Sequence, residues 1–112
     1  MDYETARKII FTQVATPEEN ANSFLARLER GQLPIPGQVT KILLALKILF
    51  ENLRDVQELD RELIYTLYVL AEDSCEQFEK GEKAGLEWSP LLKEDIKRIK
   101  RAVKSIFSGV WE

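Results

Sequence analysis

Apolar positions in this chain recur every three or four residues, the spacing of helices rather than strands. The most apolar segment is GQVTKILLALKILFENL, from Gly37 to Leu53. At about 100° per residue, Val39, Ile42, Leu43, Leu46, Leu49, Phe50 and Leu53 fall on one broad face. Leu44 and Ile48 fall nearly opposite, one turn apart, between Thr40 and Glu51 on one side and Lys41 on the other. A helix over 37–54 therefore carries two apolar faces, and both require cover. Burying a large aliphatic side chain contributes roughly 1.5–3 kcal/mol before entropy, so the rest of the chain is expected to pack around this helix. Lys41, Lys47 and Glu51 interrupt it, and it is too short to span a membrane.

The remaining pattern predicts four more helices. Asp2 caps a first one over 2–15, with Ala6, Ile9, Ile10 and Val14 facing inward. Thr16-Pro17-Glu18-Glu19 combines an N-cap, a first-turn proline and a capping-box glutamate, predicting a second helix over 17–30. Its inner face is Ala21, Phe24, Leu25 and Leu28, and Gly31 supplies its left-handed end. GQLPIPGQ, 31–38, with Pro34 and Pro36 holding the backbone extended, reads as a stiff connector, the other reading being a loop that positions binding groups. Asp60 caps a fourth helix over 60–80, stopped by Gly81, with Leu63, Ile64, Leu67, Leu70, Ala71, Ser74, Cys75 and Phe78 inward. Tyr65 and Val69 form an apolar pair on its other face. Ser89-Pro90 opens a fifth helix over 90–108, with Leu92, Ile96, Ile99, Val103, Ile106 and Phe107 inward and Gly109 at its end. The expected architecture is all-α: one domain over 1–112, a bundle of five helices with the 37–54 helix central.

Composition then removes chemistry. The 112 residues contain one cysteine and no histidine. Without histidine there is no Ser-His or Cys-His pair, no histidine base and no zinc site of the usual Cys/His kind. No GxxxxGK[ST] or GxGxxG segment is present. Cys75 lies in an inner stripe without a local cationic helper and reads as a small core residue. Glu72, Glu76 and Glu79 read as a solvated face, since carboxylate metal sites in bundles need acids converging from several helices. The residues thus name no catalytic group, cofactor or metal ligand and point away from an enzyme. A net charge of −3 argues against a nucleic-acid partner for the surface as a whole. The lone cysteine and the charged N-terminus suit a cytoplasmic protein.

Two surfaces remain as candidates. Leu44, Ile48, Tyr65 and Val69 lie off the main core stripes; side by side they would form an apolar patch for a protein partner or for a two-fold homodimer. Trp111 is a candidate anchor for the same kind of contact, whereas Trp88, just before an N-cap, suits a staple against Leu92 or a neighbour. Lys93, Lys97, Lys100 and Lys104 form a row that could meet phosphates, against which stand Glu94, Asp95 and the acidic face of the fourth helix.

The passages GQLPIPGQVTKILLALKILFENL, LDRELIYTLYVLA, AGLEWSPLL and AVKSIFSGVW resemble a family of small, all-helical cyanobacterial proteins of unestablished activity, some of them labelled dethiobiotin synthetase. That label implies a glycine-rich phosphate loop between strand and helix, and no segment here matches one, so no functional residue is carried over. The expected function is a protein-interaction or scaffold domain acting through helix surfaces. The rival readings are a small enzyme or ligand-binding domain with an inter-helix pocket, and an anion- or nucleic-acid-binding module built on the Lys93–Lys104 row.

Overall fold

A computed structural model describes all residues, 1–112. It contains five helices and no strands: α1 (Tyr3–Gln13), α2 (Phe24–Glu29), α3 (Gln38–Leu53), α4 (Arg61–Lys83) and α5 (Pro90–Ser108). The predicted caps are in place. Asp2 accepts from the Thr5 amide at 2.8 Å, Asp60 from the Leu63 amide at 3.3 Å and Ser89 from the Leu91 amide at 3.2 Å. Each supplies a partner to an amide that the helix itself leaves free. No helix is long and apolar enough to cross a membrane.

The helix expected over 17–30 is shorter. The Thr16–Glu19 capping box forms, with the Glu19 carboxylate accepting from the Thr16 amide at 3.2 Å, but it closes only one turn. Asn20 Oδ1 then accepts from the Asn22 amide at 3.1 Å. Ser23 Oγ donates to the Ala15 carbonyl at 2.8 Å and accepts from the Ala26 amide at 3.0 Å, which starts α2 afresh at Phe24. Short polar side chains thus offer the backbone partners outside the helix and end it. Ala21, expected inside, is exposed.

Two further boundaries differ. Gly81 does not stop α4, which continues to Lys83; the left-handed residue is Gly85, at φ +92°. Gly81 is instead a buried notch. A Cβ there would stand 2.5 Å from Nε1 of Trp88, whose indole stacks on Phe78 with centroids 6.0 Å apart and donates to the Phe78 carbonyl at 3.0 Å. Trp88 is therefore a structural residue. In α5 the buried face takes in Ala102 and Ser105, while Phe107, expected inside, is exposed.

Around the core, α1 lies against α3, α3 against α5, α5 against α4 and α4 against α1, and α2 covers one part of α4. Ile42, Ala45, Leu46 and Leu49 of α3 are fully enclosed with Ile10 of α1 and Ile99 of α5 in the same core. Two cross-links fix this ring. Arg7 of α1 donates to Asp60, the α4 cap, at 2.7 Å. Gln38, buried at the start of α3, donates to Gln13 Oε1 and to the Asn22 carbonyl, both at 2.9 Å, and accepts from the Ile35 amide at 3.1 Å. Gln13 Oε1 also accepts from the Phe24 amide at 2.9 Å. One pair of glutamines therefore joins the end of α1, the starts of α2 and α3, and the proline loop.

Candidate functional site

The direction of the helices follows from what meets at their ends. Val39 and Thr40, opening α3, share a hollow with Leu91 and Leu92, opening α5. A Cβ on Gly109, which ends α5, would be 3.3 Å from the carbonyl of Arg54, which ends α3. The two helices run parallel, with α4 returning the chain between them.

The seam between α3 and α5 is open to solvent. At its start, Leu33–Gly37, Val39, Thr40, Ser89, Leu91, Leu92 and Asp95 border a groove of about 260 Å³. Leu33 and Ile35 of the loop and Leu91 of α5 are 50%, 40% and 73% exposed there. The loop wall is held in shape: Arg27 Nε donates to the Leu33 carbonyl at 2.8 Å, and the Ile35 amide is tied to Gln38. Pro34, between those ties, and Pro36, just after them, remove two backbone torsions and two donors.

Further along, Leu43, Arg98, Arg101, Ala102, Trp111 and Glu112 border a second cleft, of about 220 Å³. Leu91, Asp95, Arg98 and Ala102 are spaced as one stripe of α5, and Thr40, Leu43 and Lys47 as one stripe of α3. The two hollows are thus successive stretches of one seam. Trp111 folds back over it, its ring 5.1 Å from Phe50, with Lys47 Nζ 4.0 Å from the indole centroid. The Glu112 amide donates to Ser105 Oγ at 3.0 Å. Arg98 reaches Asp95 at 3.5 Å, whereas Arg101 makes no ion pair.

The candidate residues are distributed as follows. Leu44 is exposed one turn beyond Thr40 and lines neither hollow, while Trp111 borders the second of them. Ile48 and Val69 are half-buried against the core. Tyr65 is 67% exposed on α4, which α1 and α5 separate from α3. The two apolar pairs therefore stand on helices that are not packing neighbours. Lys93, Lys97, Lys100 and Lys104 are all exposed. Lys97 reaches Glu94 at 3.5 Å and Lys104 reaches Glu112 at 3.9 Å, while Lys93 and Lys97 share a cleft with Glu79 and Glu82 of α4. Cys75 is at the inner edge of that cleft, and burial pushes its thiol up despite the nearby Lys100, away from the thiolate a nucleophile needs. Leu91 was not among the sequence candidates; Leu33 and Ile35 lie in the 31–38 loop whose second reading was a binding loop, and Arg98 and Arg101 lie beside the lysine row. The available signal was two bulky aliphatics in a proline loop and a leucine directly after a first-turn proline, off the inner stripe.

No protein-family model, no curated protein and no solved structure matches this chain.

Proposed function

We propose that this chain is a protein-interaction domain whose contact surface is the α3/α5 seam, so that its product is a bound partner rather than a reaction. The observation that supports this is the convergence of Leu33, Ile35 and Leu91, all exposed, on one groove. Single exposed aliphatics are ordinary, but a cluster in a concave surface marks a place where burial of apolar area is still to be gained. The setting adds to it. The loop is held by prolines and by hydrogen bonds to Arg27 and Gln38, so little conformational freedom is lost when a partner docks. Trp and Arg at the far end are residue types that dominate binding energy at interface centres.

The same surface answers the rival built on the lysine row. Lys93 and Lys97 stand opposite Glu79 and Glu82, so that face presents mixed charge to a polyanion, whereas the α3/α5 seam gathers exposed aliphatics beside Asp95 at one end and Arg98 and Arg101 beside Glu112 at the other. The experiment is affinity capture from the source organism with the wild-type chain and Leu91→Glu in parallel. Partners retained by the wild type and lost from Leu91→Glu are the expected result. Identical profiles from the two chains contradict the proposal.

A further inference from the structure

We infer that the seam's occupant is an acidic amphipathic helix of a partner protein, with aliphatic side chains against Leu33, Ile35 and Leu91 and a carboxylate on Arg98 and Arg101. This rests on the seam being the contact surface and adds the chemistry of what fills it.

Three features of the seam point to that occupant. Two walls are helices whose backbone groups are bonded internally, and the third, the 33–37 loop, has no donor at Pro34 or Pro36 and an Ile35 amide held by Gln38, so an extended peptide laid there would leave its own amides and carbonyls without a strand edge to pair with. A helix brings its backbone already satisfied, and a trough between two parallel helices accepts its apolar stripe. The second feature is charge. Arg101 lines the cleft without an ion pair, and Arg98 holds Asp95 only at 3.5 Å, longer than the roughly 2.7–2.9 Å of a strong charge-assisted bond. Glu112 also borders the cleft, but its carboxylate leans toward Lys104, at 3.9 Å. Two guanidiniums are thus available to a carboxylate, which they match in a planar, two-point manner. The third feature is spacing. Leu91 and Arg98 are seven residues apart on α5, a rise of about 10 Å. A partner helix alongside places an aliphatic residue and an acid seven positions later across the same interval. Phosphate-bearing partners fit less well, because the exposed side chains of Leu33, Ile35 and Leu91 give a phosphate nothing to bond.

The test uses the full chain, labelled with ¹⁵N, and three synthetic helical peptides. The probe carries leucines on one stripe and glutamates seven and eleven positions after the first. One twin has lysine for those glutamates, and the other has serine for the leucines. The probe is expected to shift the amides around Leu33, Ile35, Leu91, Arg98 and Arg101, and to bind at least tenfold more tightly than the lysine twin. Arg101→Gln is expected to weaken the probe at least fivefold and to leave the lysine twin unchanged. A lysine twin that binds as tightly as the probe overturns the acidic partner while leaving the seam as the contact surface. A serine twin that binds as tightly, or shifts confined to α4, overturns the seam itself. Binding by none of the peptides at millimolar concentration overturns the inference, and so does a wild-type chain whose sedimentation shows dimerisation abolished by Leu91→Glu, which would make the occupant a second copy.

Discussion

At the scale of single residues, caps are readable from sequence because donor and acceptor are within three positions, whereas Gly81 is not, because its reason is Trp88, which arrives after the helix has ended. Alanine is normally worth about 1 kcal/mol more than glycine inside a helix. At Gly81 the new Cβ would meet the indole within 2.5–2.7 Å, and overpacking of that kind costs about 1–3 kcal/mol. Gly81→Ala is therefore expected to lower stability in urea melts followed by tryptophan fluorescence, and a gain would contradict the packing described. Two aspartates make opposite pH predictions. Asp60 is held below the usual carboxylate range, first by the hydrogen bond from Arg7; its contribution is present above that range and lost as pH falls through it. Asp73 is pushed up by burial and then by Glu76 and Glu72, so its ionised form opposes folding above the usual range. Near neutral pH, Asp60→Asn should lower stability and Asp73→Asn should raise it, both differences fading in acid. Stability measured across pH for the two variants checks the signs.

At the scale of elements, five helices and their inner stripes were legible, because each rests on periodicity within one segment. The second helix was read too long. Its capping box is real, but the side chains of Asn20 and Ser23 satisfy the backbone by other routes, and one of those routes involves Ala15 in the preceding segment. The glutamine junction was equally hidden, since Gln13 and Gln38 are distant in sequence and unremarkable in type. Gln38→Leu would strip partners from Gln13, Asn22 and Ile35 in a buried setting, where an unsatisfied polar group costs about 1–3 kcal/mol. The expected outcome is a loss of that size, with faster hydrogen exchange at the Phe24 and Ile35 amides as the element-level signature. Unchanged exchange at both would show that the junction does not tie these elements together.

At the scale of the whole molecule, the parallel pairing of α3 and α5 decides which surface is open, and it was not legible. Short connections favour antiparallel neighbours, but α4 carries the chain back across the bundle and leaves α3 beside α5 with a seam that no other element covers. Of the off-stripe pairs Leu44/Ile48 and Tyr65/Val69, Leu44 and Tyr65 are exposed while Ile48 and Val69 pack half-buried against the core; what periodicity within a helix cannot tell is that α1 and α5 stand between the helices that carry them. Leu91 gives a clean probe of the open seam. It is 73% exposed, so its replacement should change stability by no more than about 0.5 kcal/mol, and a glutamate in the first turn of α5 is favoured by the helix dipole. The most direct measurement pairs Leu91→Glu with Tyr65→Glu, an equally exposed change on α4, and compares partner retention by the two full-length variants at matched folded concentration. Loss with Leu91→Glu and retention with Tyr65→Glu is the predicted result; retention with Leu91→Glu, or loss with Tyr65→Glu alone, would contradict the seam as the contact surface.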